Sequence, residues 1–161
     1  MRSCGGLLAL LLAAGCAGGG GDGGGAAPAP MFSRDAANPL YQSSGAAWNF
    51  SGIGDPMVLY DGGVWKMWTS GGGIVAPDPV TKVRTQYLTS IDGIAWTEQG
   101  VALDVGPGPT DWDRGGVETV CVLKDGGQYW MGYAGYEVQQ QPPLGMKIGL
   151  ATSPDGVTWA K

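Results

Sequence analysis

From Met31 onward, the apolar residues do not recur at the 3.6-residue spacing of an amphipathic helix. They fall in short β-rich runs broken by Gly, Pro and Asp, which predicts an all-β fold. The first run covers residues 56–60, Asp61-Gly62-Gly63 is a hairpin signal, and a second run covers 64–70. A third run covers 84–89, a turn follows at 90–93, and a fourth run covers 94–97. Runs at 119–123, 128–134, 146–152 and 157–160 make a matching set later in the chain. Segments 39–51 and 102–115 read as long entry loops ahead of each set.

The two sets are copies of one another. A shift of 64 positions carries Trp48 onto Trp112, Gly52 onto Gly116, Val58-Leu59 onto Val122-Leu123 and Asp61-Gly62-Gly63 onto Asp125-Gly126-Gly127. The register holds without a gap through Met67 with Met131 and Gly71 with Gly135. After a one-residue slip, the segment from Ser90 to Trp96 matches the one from Ser153 to Trp159. A fixed period of this length signals a repeat architecture, and four short antiparallel strands per repeat is the pattern of a propeller blade. The sequence thus predicts two four-stranded blades, the first over residues 38–97 and the second over 101–161.

Composition narrows the chemistry. The net charge of −5 leaves no basic surface to neutralise phosphates, so nucleic acid is not expected as a partner. The chain has no histidine, which excludes Ser-His-Asp and Cys-His nucleophile systems and His-based zinc sites. No residues show metal-ligand spacing, and no cofactor is expected. Cys121 sits in the apolar run Val120-Cys121-Val122-Leu123, where a buried, inert thiol is expected. The seven tryptophans and six tyrosines point either to packed β-structure or to aromatic platforms for a ligand.

The first 30 residues read as an address and a spacer rather than as fold. Arg2 gives a positive start and residues 7–14 an apolar stretch too short to span a bilayer as a helix. Ala13-Ala14-Gly15-Cys16 resembles the lipobox of bacterial lipoproteins, which implies cleavage after residue 15 and a diacylglyceryl group on Cys16. The other reading is an ordinary secretory leader. Residues 17–30 are almost entirely Gly, Ala and Pro, a composition that behaves as a flexible tether. The domain plan is therefore a signal peptide at 1–15, a lipidated tether at 16–30 and a partial propeller at 31–161, exported and anchored to the cell envelope. Ala17 after the cysteine implies an outer-membrane destination in a Gram-negative cell.

Within the repeats, the adjacency of Asp92 and Gly93, and of Asp155 and Gly156, is one residue short of a sialidase Asp box. The Gly54-Asp55-Pro56 strand opening, the Asp-Gly-Gly hairpin, Trp65-Lys66-Met67-Trp68-Thr69-Ser70-Gly71 and the Thr-Ser-x-Asp-Gly-x-x-Trp turns at Thr89 and Thr152 resemble instead the five-bladed propeller glycoside hydrolases of families 32, 43, 62, 68 and 130. That resemblance implies carboxylates delivered by successive innermost strands into an axial funnel, acting on a glycan or oligosaccharide. Glycoside cleavage needs one carboxyl ionised and another protonated near neutral pH.

By this resemblance Asp55 takes the place of the first-blade base, the alternative being a simple strand-opening turn. Glu118 is the second catalytic candidate, although the gapless alignment sets it opposite Gly54 and pairs Thr119 with Asp55. A one-residue offset turns a side chain to the other face of a regular strand, whereas an irregular strand mouth returns it to the axis; both readings are open. Trp48, Trp112, Asp113 and Arg114 are candidate substrate-binding residues, the tryptophans also serving as recurring packing positions. Tyr136 and Glu137 are placed at the rim. Turn chemistry accounts for Asp61, Asp92, Asp125 and Asp155.

Closed propellers have four to eight blades, and five at this period need roughly 320 residues. The expectation is therefore a fragment of a larger ring, inactive alone, with open blade edges available for self-association. A non-catalytic carbohydrate- or protein-binding surface lipoprotein is the competing expectation.

Overall fold

A computed structural model of the protein describes residues 34–76, 79–137 and 145–161. The leader, Cys16 and the tether lie outside the described residues. The described residues form seven strands, β1 (Gly52–Asp61), β2 (Val64–Gly73), β3 (Lys82–Ser90), β4 (Thr97–Leu103), β5 (Gly116–Asp125), β6 (Gln128–Tyr136) and β7 (Lys147–Ser153). Strands β1 to β4 pair in order as an antiparallel meander, and β5 to β7 repeat its first three members. A single parallel pair, Val83 with Gly116, links the two meanders.

The hairpins form where Asp-Gly-Gly demands them. Gly62 and Gly63 have φ of 63° and 84°, and Gly126 and Gly127 have φ of 56° and 85°. Two successive positive-φ residues match the right-handed twist of the flanking strands, and glycine adopts them without steric cost. The Ser-x-Asp turns are equally local. The Asp92 carboxylate accepts the N–H groups of Ile94 and Ala95 at 2.8 Å each, and Asp155 accepts those of Val157 and Thr158 at 2.8 and 2.9 Å. These backbone bonds hold both carboxyls below the usual carboxylate range.

Those turns correct the strand expected at 94–97. Asp92 occupies the N–H groups of Ile94 and Ala95, so pairing starts only after Trp96, and β4 runs to Leu103. The expected strand at 157–160 reduces to one bridge between Thr152 and Ala160, with N–H···O bonds of 2.8 and 2.9 Å. Among the described residues, the second blade shows three strands and this bridge, which lies where β4 begins in the first blade.

The core lies between the blades. Trp68, Tyr87 and Leu103 from the first blade meet Val120, Val122, Tyr129, Met131, Tyr133 and Ala151 from the second. Trp68 has no exposed surface, and its indole N–H donates to the Gly156 carbonyl across the interface at 3.0 Å. A charged clamp closes one end of the interface. Asp61 at the first hairpin accepts from the Tyr129 hydroxyl and pairs with Lys124 at 2.8 Å, while Lys66 donates to the Tyr129 oxygen at 2.6 Å. The Lys124 and Tyr129 hydrogen bonds hold the Asp61 carboxyl well below the usual carboxylate range.

Alternation along β5 overturns the expected burial of Cys121. Val120 and Val122 point into the core, which turns Cys121 and Leu123 outward, and the thiol is exposed. An apolar run hides this period-2 pattern because every side chain in it looks like core.

Candidate functional site

The site begins with two backbone irregularities. Asp55 and Thr119 have φ of 51° and 52°, the left-handed region that residues other than glycine rarely enter. Each sits at a break in its ladder, between Gly54 and Met57 in β1 and between Glu118 and Cys121 in β5. Under the 64-residue shift they are the same position, so both innermost strands open with the same bulge. Such strain costs on the order of 1–3 kcal/mol and persists where the surroundings determine it.

Here the surroundings are the neighbouring strand β2 and the facing blade. The Ser70 hydroxyl donates to Asp55 Oδ2 at 3.2 Å, and the Thr119 hydroxyl reaches the same oxygen at 3.3 Å. The Thr119 N–H donates to Ser70 Oγ at 3.0 Å. Thr69 fixes the carbonyl of Gly54 through its own hydroxyl.

A cleft of about 310 Å³ opens on this knot, lined by Ser51, Ile53, Asp55, Ser70, Val83 and Glu118 among others. The cleft decides between the two readings of Glu118: it lines the cleft together with Asp55 and with Gly54, its equivalent in the first blade. Burial and the nearby charge of Asp55 raise the Glu118 carboxyl above its ordinary value. Beneath it, burial and the charge of Glu118 push the Tyr136 phenol up to about 12. A larger apolar cleft of about 460 Å³, lined by Pro39, Leu40, Val58, Met67 and Trp96 among others, has no carboxyl in its lining.

The other candidates are placed elsewhere. Trp112 stacks on Tyr133 with ring centroids 5.7 Å apart and packs against the core, and Trp48 lies outside the lining of the carboxylate cleft. Asp113 is buried, accepting from the Tyr133 hydroxyl at 3.1 Å and from Lys161 at 2.6 Å. Arg114 pairs with Glu137 at 2.8 Å. Tyr136 is buried rather than at the rim. Among the described residues, no group of three or more His, Cys, Asp or Glu side chains is arranged to hold a metal ion. Sequence reading passed over Ser70. The signal was available: the repeat has Ala134 at the equivalent place, so the hydroxyl is not part of the shared blade pattern.

No protein-family model matches the chain. In solved structures the same architecture recurs. The chain superposes on a Parabacteroides distasonis protein described as a candidate glycoside hydrolase with a TM-score of 0.65 and 19% identity, over 80% of this chain and 40% of that one. The described residues share the all-β fold of part of β-propeller structures whose descriptions are those of glycoside hydrolases. A structure from work on GH130 glycoside hydrolases that target β-1,2 mannosidic linkages in Candida mannan gives a TM-score of 0.64 at 18% identity, over 80% of this chain and 39% of that one. Zg3597, a family 117 glycoside hydrolase from Zobellia galactanivorans, gives 0.58 at 17% identity, over 67% and 37%. In sequence, 80 residues are 34% identical to the uncharacterized Mycobacterium tuberculosis protein Rv1502, which is 50% of this chain and 24% of that protein. The chain thus spans about a quarter of that relative and about two fifths of the propeller structures it matches.

Proposed function

We propose that the protein acts on a glycan, with Asp55 as the base and Glu118 as a second carboxyl that carries the proton. The observation that supports this reading is the placing of two carboxyls from successive innermost strands on one cleft, with Glu118 raised by burial and by the charge of Asp55. Such a pair is the minimal equipment for glycoside cleavage: a charged group to accept a proton or stabilise positive charge, and a neutral group to protonate the leaving oxygen. The glycan-directed descriptions of the propeller neighbours support the substrate class. We further propose export and lipid anchoring through Cys16, supported by the lipobox-like Ala13-Ala14-Gly15-Cys16 and the tether after it.

The test is a panel of aryl glycosides and mannan-, arabinan- and galactan-derived oligosaccharides, assayed for binding with this chain and for turnover with a longer protein that contains it, each as the parent, Asp55→Asn and Glu118→Gln. Turnover reduced at least about a hundredfold in both variants is the expected result. Binding without turnover, unaffected by either substitution, identifies a non-catalytic glycan-binding propeller. Cys16→Ser should release the protein from membranes.

A further inference from the structure

We propose that Ser70 is a positioning residue that sets which oxygen of Asp55 works in the cleft; this rests on the reading of Asp55 as the base. The argument begins with a proton count. A serine hydroxyl has one proton to give and lone pairs to accept with. The Thr119 N–H can only donate, so its 3.0 Å bond to Ser70 Oγ makes that oxygen an acceptor there. The single Ser70 proton is then directed to Asp55 Oδ2, 3.2 Å away. Thr119 Oγ1 adds a second contact to the same oxygen at 3.3 Å. Among the described residues, Oδ1 has no hydrogen-bond partner. One carboxylate oxygen is thereby tied to the protein and the other is left for a ligand.

The repeat supplies an internal control. Ser70 corresponds to Ala134 in the second blade, and Asp55 corresponds to Thr119. Ser70 pairs with Gly54 between β1 and β2, and Ala134 pairs with Glu118 between β5 and β6, so the two sites share one backbone register. The blade therefore folds with a methyl group at this position. The hydroxyl occurs only in the blade that carries the aspartate, where it links that aspartate to the backbone of the next blade. A residue needed to fold the blade itself would be expected in both copies; this hydroxyl stands only in the copy that has both an aspartate at the strand mouth and a blade docked against it.

The experiment uses the full chain with carbon-13 labelled aspartate and compares the Asp55 side-chain carboxyl resonance in the parent, Ser70→Ala and Ser70→Thr. Hydrogen bonding to a carboxylate oxygen moves this resonance. The proposal expects a displaced Asp55 resonance in Ser70→Ala and its return in Ser70→Thr. On any aryl glycoside that the parent hydrolyses, Ser70→Ala should lower kcat roughly tenfold or more while KM stays within about twofold, since misaimed groups lose rate rather than binding. An Asp55 resonance that stays in place in Ser70→Ala overturns the proposal, as does a displacement that Ser70→Thr fails to reverse. The base reading is judged separately: hydrolysis retained in Asp55→Asn removes it, while a displaced resonance in Ser70→Ala still establishes the contact.

Discussion

The two blades share a sequence pattern and a backbone register, yet the same positions meet opposite fates. Met57 and Leu59 in β1 pack against the inter-blade core; their equivalents Cys121 and Leu123 in β5 are exposed. Trp68 in β2 is fully buried under the second blade, whereas its equivalent is Gly132, beside the partly exposed Trp130. Ile148 and Leu150 in β7 lie open on the same outer face. Burial in a repeat is thus set by which face has a neighbour and not by the hydrophobicity of the run itself.

That comparison can be broken most forcefully at Trp68. Trp68→Ala empties the centre of the inter-blade core and orphans the Gly156 carbonyl, so a loss of about 3–5 kcal/mol is expected in chemical denaturation. Trp130→Ala, on the open face, should cost under about 1 kcal/mol. Equal losses would show that the two faces are not different in the way described.

A smaller effect is expected at Gly73, where a Cβ would lie 2.0 Å from the Ala47 carbonyl oxygen and 2.4 Å from the Trp48 carbonyl carbon. Both are backbone atoms and cannot swing away, so Gly73→Ala should cost about 1–3 kcal/mol. The equivalent position in the second blade holds Glu137, an exposed residue paired with Arg114. Glu137→Ala should leave the melting temperature nearly unchanged.

The clamp at Asp61 gives a pH dependence with a definite sign. Its carboxyl is held below the ordinary range in the folded protein by Lys124, Tyr129 and Lys66. A depressed carboxyl contributes stability that is present above its unfolded value, about 3.9, and is lost as pH falls through the folded value. Unfolding midpoints measured from pH 6 downward should therefore fall through the acid range, and Asp61→Asn should flatten that decline.

The mildest test concerns the site itself. Glu118 is raised first by burial and then by the charge of Asp55. Asp55→Asn removes the second cause only, so the Glu118 titration midpoint followed by NMR should move down but stay above that of an exposed glutamate. No movement would mean that the two carboxyls do not sense each other across the cleft.

Much of the architecture was legible in the sequence because its determinants are local. Asp-Gly-Gly dictates a tight hairpin through backbone sterics, and Ser-x-Asp dictates a capped turn through side-chain hydrogen bonds, so hairpins, turns and the repeat register follow from short windows. The 64-residue alignment even identifies Thr119 as the counterpart of Asp55, which the shared left-handed backbone bears out. Other features depend on contacts far along the chain. Whether Cys121 is buried depends on the neighbour of an entire sheet face. Whether Glu118 shares a cleft with Asp55 depends on how the two strand mouths come together, and the role of Ser70 depends on a Thr119 amide 49 residues away. Sequence alone determined the blades, because strand, turn and period are short-range matters. Only the tertiary structure decided which carboxyls meet, because that depends on how one blade is rotated and docked against the next.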